Sequence, residues 1–130
     1  LVRYTAVDDA GTILNPILFD GQVHGGIVQG AGQIMMEDVH YDPETGQLLS
    51  GSFQDYCMPR ADDFCDFNIS AKEVPTARNP LGVKGVGEAG TVGAMPAVMN
   101  AINDALHRAG ASVIEMPATA EKVWRALQEV

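Results

Sequence analysis

In residues 81–106, LGVKGVGEAGTVGAMPAVMNAINDAL, the glycine-rich first half, residues 81–93, sets a single carboxylate, Glu88, among Gly82, Gly85, Gly87, Gly90 and Gly93, directly ahead of an apolar helical pattern. A carboxylate in a glycine-shaped turn is suited to general-base work, because the missing side chains let a substrate or cofactor reach it. The competing reading is that Glu88 caps backbone amides or faces water. A third takes Gly85-Val86-Gly87-Glu88-Ala89-Gly90 as the dinucleotide pattern G-x-G-x-x-G. That pattern needs a buried strand feeding its first glycine, and Pro80 and Gly82 make the preceding residues a poor strand. A carboxylate inside the loop would also repel a pyrophosphate. The dinucleotide reading is therefore set aside, and the residues alone leave base and cap open.

A second glycine cluster lies upstream. In DGQVHGGIVQGAGQIMM, residues 20–36, the positions of Val23, Ile27, Ala31, Ile34 and Met35 predict a helix, although its five glycines each weaken it by up to about 1 kcal/mol. Gly21-x-x-x-Gly25 and Gly26-x-x-x-Gly30 strip one side of that helix, so a neighbouring backbone or a ligand can come close. No protein-held metal is expected. His24, His40 and His107 lack ligand spacing, and Cys57 and Cys65, separated by seven intervening residues, match neither a redox pair nor a zinc or iron–sulfur run. Both thiols are expected to be buried and free, and any metal would have to arrive inside a cofactor.

The elements that must hold these loops read as α+β, mixed strands and helices without regular β-α-β alternation, in a single domain over residues 1–130. Val2, Tyr4 and Ala6 alternate with polar neighbours and run into Asp8-Asp9-Ala10-Gly11, which predicts a strand and a hairpin turn, with a second strand stopped by Pro16. Pro43-Glu44-Thr45-Gly46 predicts another hairpin. Phe67, Ile69 and Ala71 mark a half-buried strand ending before Pro75. Pro96 is placed as the first residue of a helix faced by Val98, Ile102, Ala105 and Leu106 up to Gly110. SVIEM, residues 112–116, is a short strand, and Thr119 caps a last helix with the face Val123, Leu127 and Val130.

Composition narrows the partners. Seventeen acidic against eight basic side chains give a formal charge of −9, which argues against nucleic acid or an anionic membrane as partner. The apolar runs fall short of the roughly 20 residues a membrane span needs, and the start lacks a signal-peptide layout, so the chain is expected to be cytoplasmic. Because LVRYTAVDD opens directly with strand-like alternation, it is read as a piece of something longer.

GGIVQGAGQIMMEDVHYDPETGQLLSGSFQDYCMPRADDF followed by NPLGVKGVGEAGTVGAMPAVMNAINDAL resembles the C-terminal end of the molybdenum-binding large subunit of the xanthine dehydrogenase family, near the bacterial carbon monoxide dehydrogenase-like and aldehyde oxidase-like members. The similarity runs from Val2 to Val130. It implies a C-terminal fragment of a molybdopterin-binding domain. Gln29, Gly30, Ala31 and Gly32 would lie against the pterin, with Gln29 as the contacting amide. Gly85, Val86 and Gly87 would form the loop beside the metal, with Lys84 on its pterin side, and Glu88 would be the catalytic base that accepts the proton of the attacking hydroxyl.

The cofactor implied for the full enzyme is molybdenum–pterin, in the molybdopterin cytosine dinucleotide form, with none bound by the isolated, inactive fragment. The implied partners are the rest of the large subunit, iron–sulfur and FAD subunits or domains, and a small-molecule substrate, within an oligomer. Aldehydes, N-heterocycles and carbon monoxide remain open as substrates. A non-enzymatic alternative is a free-standing remnant domain acting as an assembly or binding module.

Overall fold

A computed structural model describes residues 1–130, with the order β1 (Tyr4–Asp8), α1 (Pro16–Met35), a short 3-10 turn (Ala61–Asp63), β2 (Phe67–Ala71), α2 (Ala89–Arg108) and α3 (Ala120–Gln128). Helices and a small sheet make it α+β, as expected. The chain forms two compact units, one of residues 1–30 and 60–94, the other of residues 31–59 and 95–130.

In the first unit β1 and β2 pair in parallel, with Tyr4 opposite Phe67 and Asp8 opposite Ala71. This replaces the expected hairpin. Asp8-Asp9-Ala10-Gly11 does turn the chain, with Gly11 in the left-handed region at φ 63°, but the turn hands Gly11 to an antiparallel bridge with Val83 rather than to a local strand. Residues 12–16 instead lead into α1. Pro16 is the first residue of that helix, not the end of a strand, because Asn15 caps it: the Asn15 Oδ1 accepts from Leu18 N at 3.2 Å and its carbonyl from Phe19 N at 3.1 Å. Phe19, Val23 and Ile27 of α1 bury against Ala10 and Ala94, with Tyr4, Ala6, Phe67 and Ile69 from the inner face of the sheet packed on them.

In the second unit the expected hairpin around residues 43–46 is a tight loop closed by one bridge, Tyr41 with Leu48. Asp42 organises it by accepting from the Glu44 and Thr45 amides and from the Thr45 hydroxyl. Residues 112–116 form no strand. The segment is clamped by Asn103, which donates to Ile114 O at 3.2 Å and accepts from Ile114 N at 3.0 Å. Gly110, at φ 84°, ends the helical run. Leu106, Ala111 and Ala126 then form a small core with Ile102, Ile114 and Val123. Thr119 caps α3 as predicted, accepting from Lys122 N. The buried side of α3 is Val123 and Ala126, whereas Leu127 and Val130 are exposed. Of the two thiols, Cys57 is exposed rather than buried, and Cys65 is half-buried; both are free.

Candidate functional site

The loop that carries Glu88 is anchored at its start and open at its end. Asn79 shapes the entry, its amide donating to Val83 O and its Oδ1 accepting from the Leu81 and Val83 amides. Thr12 N donates to Gly82 O at 3.0 Å and Lys84 N to Ala10 O at 2.9 Å, which fixes the strand-like stretch on either side of Val83. The Lys84 ammonium sits on Asp9 Oδ2 at 2.5 Å. Asp9 Oδ1 accepts from Gly11 N at 2.8 Å and Val74 N at 3.0 Å. The Lys84 bond and these two amides hold the Asp9 carboxyl down to about 2. Beyond Lys84, Val86 drops its side chain onto the core of the unit.

Glu88 follows as the residue immediately before α2. Its carbonyl accepts the first helical bond from Val92 N at 3.0 Å, while its side chain is exposed and belongs to none of the chain's ion pairs. The helix begins here, seven residues before Pro96, so Pro96 lies inside α2. What starts the helix early is contact with α1. A Cβ on Gly90 would lie 2.5 Å from Val23 O and 2.9 Å from Ile27 N, and one on Gly26 would lie 2.9 Å from Thr91 N. The two backbones touch at Gly26 and Gly90, and only glycine permits that approach. Thr91 seals the contact by donating to Gly26 O at 3.1 Å.

The glycines therefore divide by what surrounds them. Gly26 and Gly90 serve helix packing. Gly32 serves the second unit, where an added Cβ would overlap the ring of Pro59. Gly85 has no atom within 4 Å of an added Cβ, Gly87 has only Gln22 Oε1 at 3.7 Å, and neither has a positive φ. Nothing inside the protein requires glycine at these two positions, which leaves bare backbone open to an outside group.

The expected residues are only partly brought together. Lys84, Gly85, Val86, Gly87 and Glu88 are contiguous, and Gln29 joins them through α2: its Oε1 lies 3.4 Å from the hydroxyl of Thr91, one turn beyond Glu88, whose hydrogen goes to Gly26 O. The rest of the Gln29 segment does not reach the surface. Gly30 and Gly32 are buried and Ala31 is fully so, because these residues form the packed side of α1. Two members were missed from the sequence. Gln22 lies on the same side of α1 as Gly26 and Gln29 and faces Gly87; its spacing of seven from Gln29 is the signal that could have found it. Asp9, whose sequence context is that of a hairpin turn, is the other. A cleft of about 280 Å³ runs beside the loop, lined by Leu18, Phe19 and Gln22 of α1 and by Val83, Lys84 and Val86.

Residues 1–65 match the family model for the molybdopterin cofactor-binding domain. The chain belongs to that family. It is 44% identical over 125 residues to the nicotine 6-hydroxylase large subunit of Paenarthrobacter nicotinovorans, covering 96% of this chain and 15% of that protein. It is 38% identical over 123 residues to the carbon monoxide dehydrogenase large chain of Afipia carboxidovorans, covering 95% and 15% respectively. Among solved structures, quinoline 2-oxidoreductase from Pseudomonas putida 86 superposes with a TM-score of 0.92 at 39% identity, over 98% of this chain and 16% of that one. The chain thus spans about a sixth of the length of these relatives. The open glycine backbone at Gly85 and Gly87, beside an exposed amide and an ammonium, fits a bulky group with polar and anionic edges. Of the four residues expected on α1, Gly30, Ala31 and Gly32 are buried and Gln29 is exposed. No helix is long and apolar enough to cross a membrane.

Proposed function

We propose that this chain is part of the large subunit of a molybdopterin-dependent oxidoreductase, where it supplies one side of the cofactor cradle and the catalytic base Glu88. The observation that carries the reading is the pair of glycines, Gly85 and Gly87, that no internal contact requires and that stand directly before an exposed carboxylate. When bound, the molybdenum–pterin group supplies the oxidation of the substrate.

This chain's residues do the remaining work. Bare backbone at Gly85 and Gly87 admits the group to close range. Gln29, exposed on α1 with its carboxamide beside the Thr91 hydroxyl, offers the group both a donor and an acceptor. Lys84 keeps one ammonium hydrogen on Asp9 and two for an anionic edge. Glu88, without an ion-pair partner, is placed to take a proton from the group that attacks the substrate.

The finer parts of the reading rest on the family resemblance of the sequence: an aldehyde, N-heterocycle or carbon monoxide-like substrate, the cytosine dinucleotide form of the pterin, iron–sulfur and FAD subunits or domains as partners, an oligomeric assembly and a cytoplasmic location. Metal and pterin analysis of the full-length gene product tests the cradle. Wild type carries molybdenum and a pterin dinucleotide in stoichiometric amounts, and Gly85→Val and Gly87→Val each lower both, because a branched side chain fills the space left for close approach. Full occupancy in both variants would remove the loop from the cradle.

A further inference from the structure

Asp9 lies outside both glycine clusters of the sequence, yet it is the point at which three separate stretches of the first unit meet. Its Oδ1 holds the amides of Gly11 and Val74, and its Oδ2 holds the Lys84 ammonium. We propose that Asp9 is a positioning residue for the glycine loop: through Lys84 it fixes where the open segment Gly85–Glu88 begins. The proposal rests on the reading of that loop as one side of the cofactor cradle.

The geometry leaves few other restraints. Behind Lys84 the loop is laid against the Gly11 turn by the Thr12–Gly82 and Lys84–Ala10 backbone bonds. Gly11 itself is confined to glycine by its positive φ and by the closeness of the Gly82 carbonyl. Ahead of Lys84, Gly85 and Gly87 touch almost nothing, and Val86 is the one side chain between them that reaches the core. Three pegs therefore set the course of residues 85–88: the Lys84–Asp9 pair beside the Lys84 N–Ala10 O bond, the Val86 side chain, and the bonds that Val86 O and Glu88 O accept from Ala89 N and Val92 N. A carboxylate suits the first peg because it accepts from two backbone amides and a cation at once. The side chains of Lys84 and Asp9 are 36% and 35% exposed, so the pair is accessible enough for the ammonium to donate to a second acceptor while staying in place.

Hydrogen exchange of residues 82–90 in the full-length gene product tests the role, with Asp9→Asn, Lys84→Met, Lys84→Arg and the double variant Asp9→Asn/Lys84→Met. Asparagine keeps an oxygen for the Gly11 and Val74 amides but turns a donor toward the ammonium, so it breaks the Lys84 link selectively. Exchange in Asp9→Asn and Lys84→Met is expected to rise roughly threefold to tenfold, as for loss of one charge-assisted hydrogen bond at a half-exposed site. The double variant should exchange no faster than either single, because the two changes remove one interaction. Lys84→Arg, which keeps the cation, should restore protection. Unchanged exchange, or rises that add in the double variant, would overturn the proposal. Molybdopterin content measured on the same samples separates the two ideas: a loosened loop in a protein whose wild type binds no molybdopterin supports the positioning role and removes the cradle, whereas an unchanged loop in a molybdopterin-replete protein removes the role of Asp9 and keeps the cradle.

Discussion

Gly90→Ala and Gly93→Ala make the same chemical change three residues apart on one helix and should move stability in opposite directions. At Gly93 an added Cβ meets nothing within 4 Å. There alanine gains only helix propensity, up to about 1 kcal/mol. At Gly90 the same Cβ would sit 2.5 Å from Val23 O and 2.9 Å from Ile27 N, both backbone atoms of α1 that no rotamer change can clear. Ordinary contact distances are about 3.5 Å, so the helices must separate by roughly 1 Å, which forfeits a quarter to a half of each dispersion contact across the seam. Val23 and Ile27, both fully buried, lie on that seam. Overpacking of this kind costs about 1–3 kcal/mol, which outweighs the propensity gain. Both variants gain the propensity, so they should differ by the overpacking cost alone, about 1–3 kcal/mol, in urea unfolding of the chain followed by circular dichroism, with Gly93→Ala above wild type and Gly90→Ala below. Equal shifts of the same sign would refute the close approach of α1 and α2.

Other outcomes follow from single contacts. Asn103→Ala removes both bonds that hold Ile114 and should cost about 1–3 kcal/mol in the same unfolding assay. Thr119→Ala should cost about 1 kcal/mol through loss of the α3 cap. The folded-state value of the Asp9 carboxyl is depressed, so its contribution is present above the ordinary 3.8 and is lost as pH falls from there to about 2. Carbon-detected NMR should place its midpoint near about 2, and Lys84→Met should move that midpoint upward. Expressed alone, the chain should retain no molybdenum, because binding spread over several loops fails when most are missing. With Ile17 82% and Phe53 78% exposed, it should also self-associate in sedimentation velocity.

The sequence made local features legible and left pairing obscure. Thr119 before an amphipathic run identifies α3 because a cap and a 3.6-residue period are both local signals. Val23, Ile27, Ala31 and Ile34 likewise gave the buried face of α1 despite its glycines. The partner of β1 was not legible, since the turn at Asp9–Gly11 carries ordinary hairpin chemistry while its bridge partner, Val83, lies far along the chain. Pro96 was misplaced for a related reason. Proline at the first helical position is a sound local rule, but tertiary contact at Gly26 and Gly90 nucleates α2 seven residues earlier. In the candidate site, the loop 84–88 could be read from its glycines, because an unusual composition announces itself. Asp9 and Gln22 could not, as each is an ordinary residue whose partners become neighbours only after folding.

Glu88→Gln in the full-length, molybdenum-replete gene product tests the central claim most directly. Glutamine keeps the size and hydrogen-bonding reach of the side chain but cannot accept a proton at neutral pH. Cofactor content should stay at the wild-type level while kcat falls by roughly 10²- to 10⁴-fold, the range general-base catalysis contributes. If Glu88 instead only begins α2 and faces water, the variant keeps its rate, and a kcat within about threefold of wild type at full cofactor occupancy would contradict its role as the base.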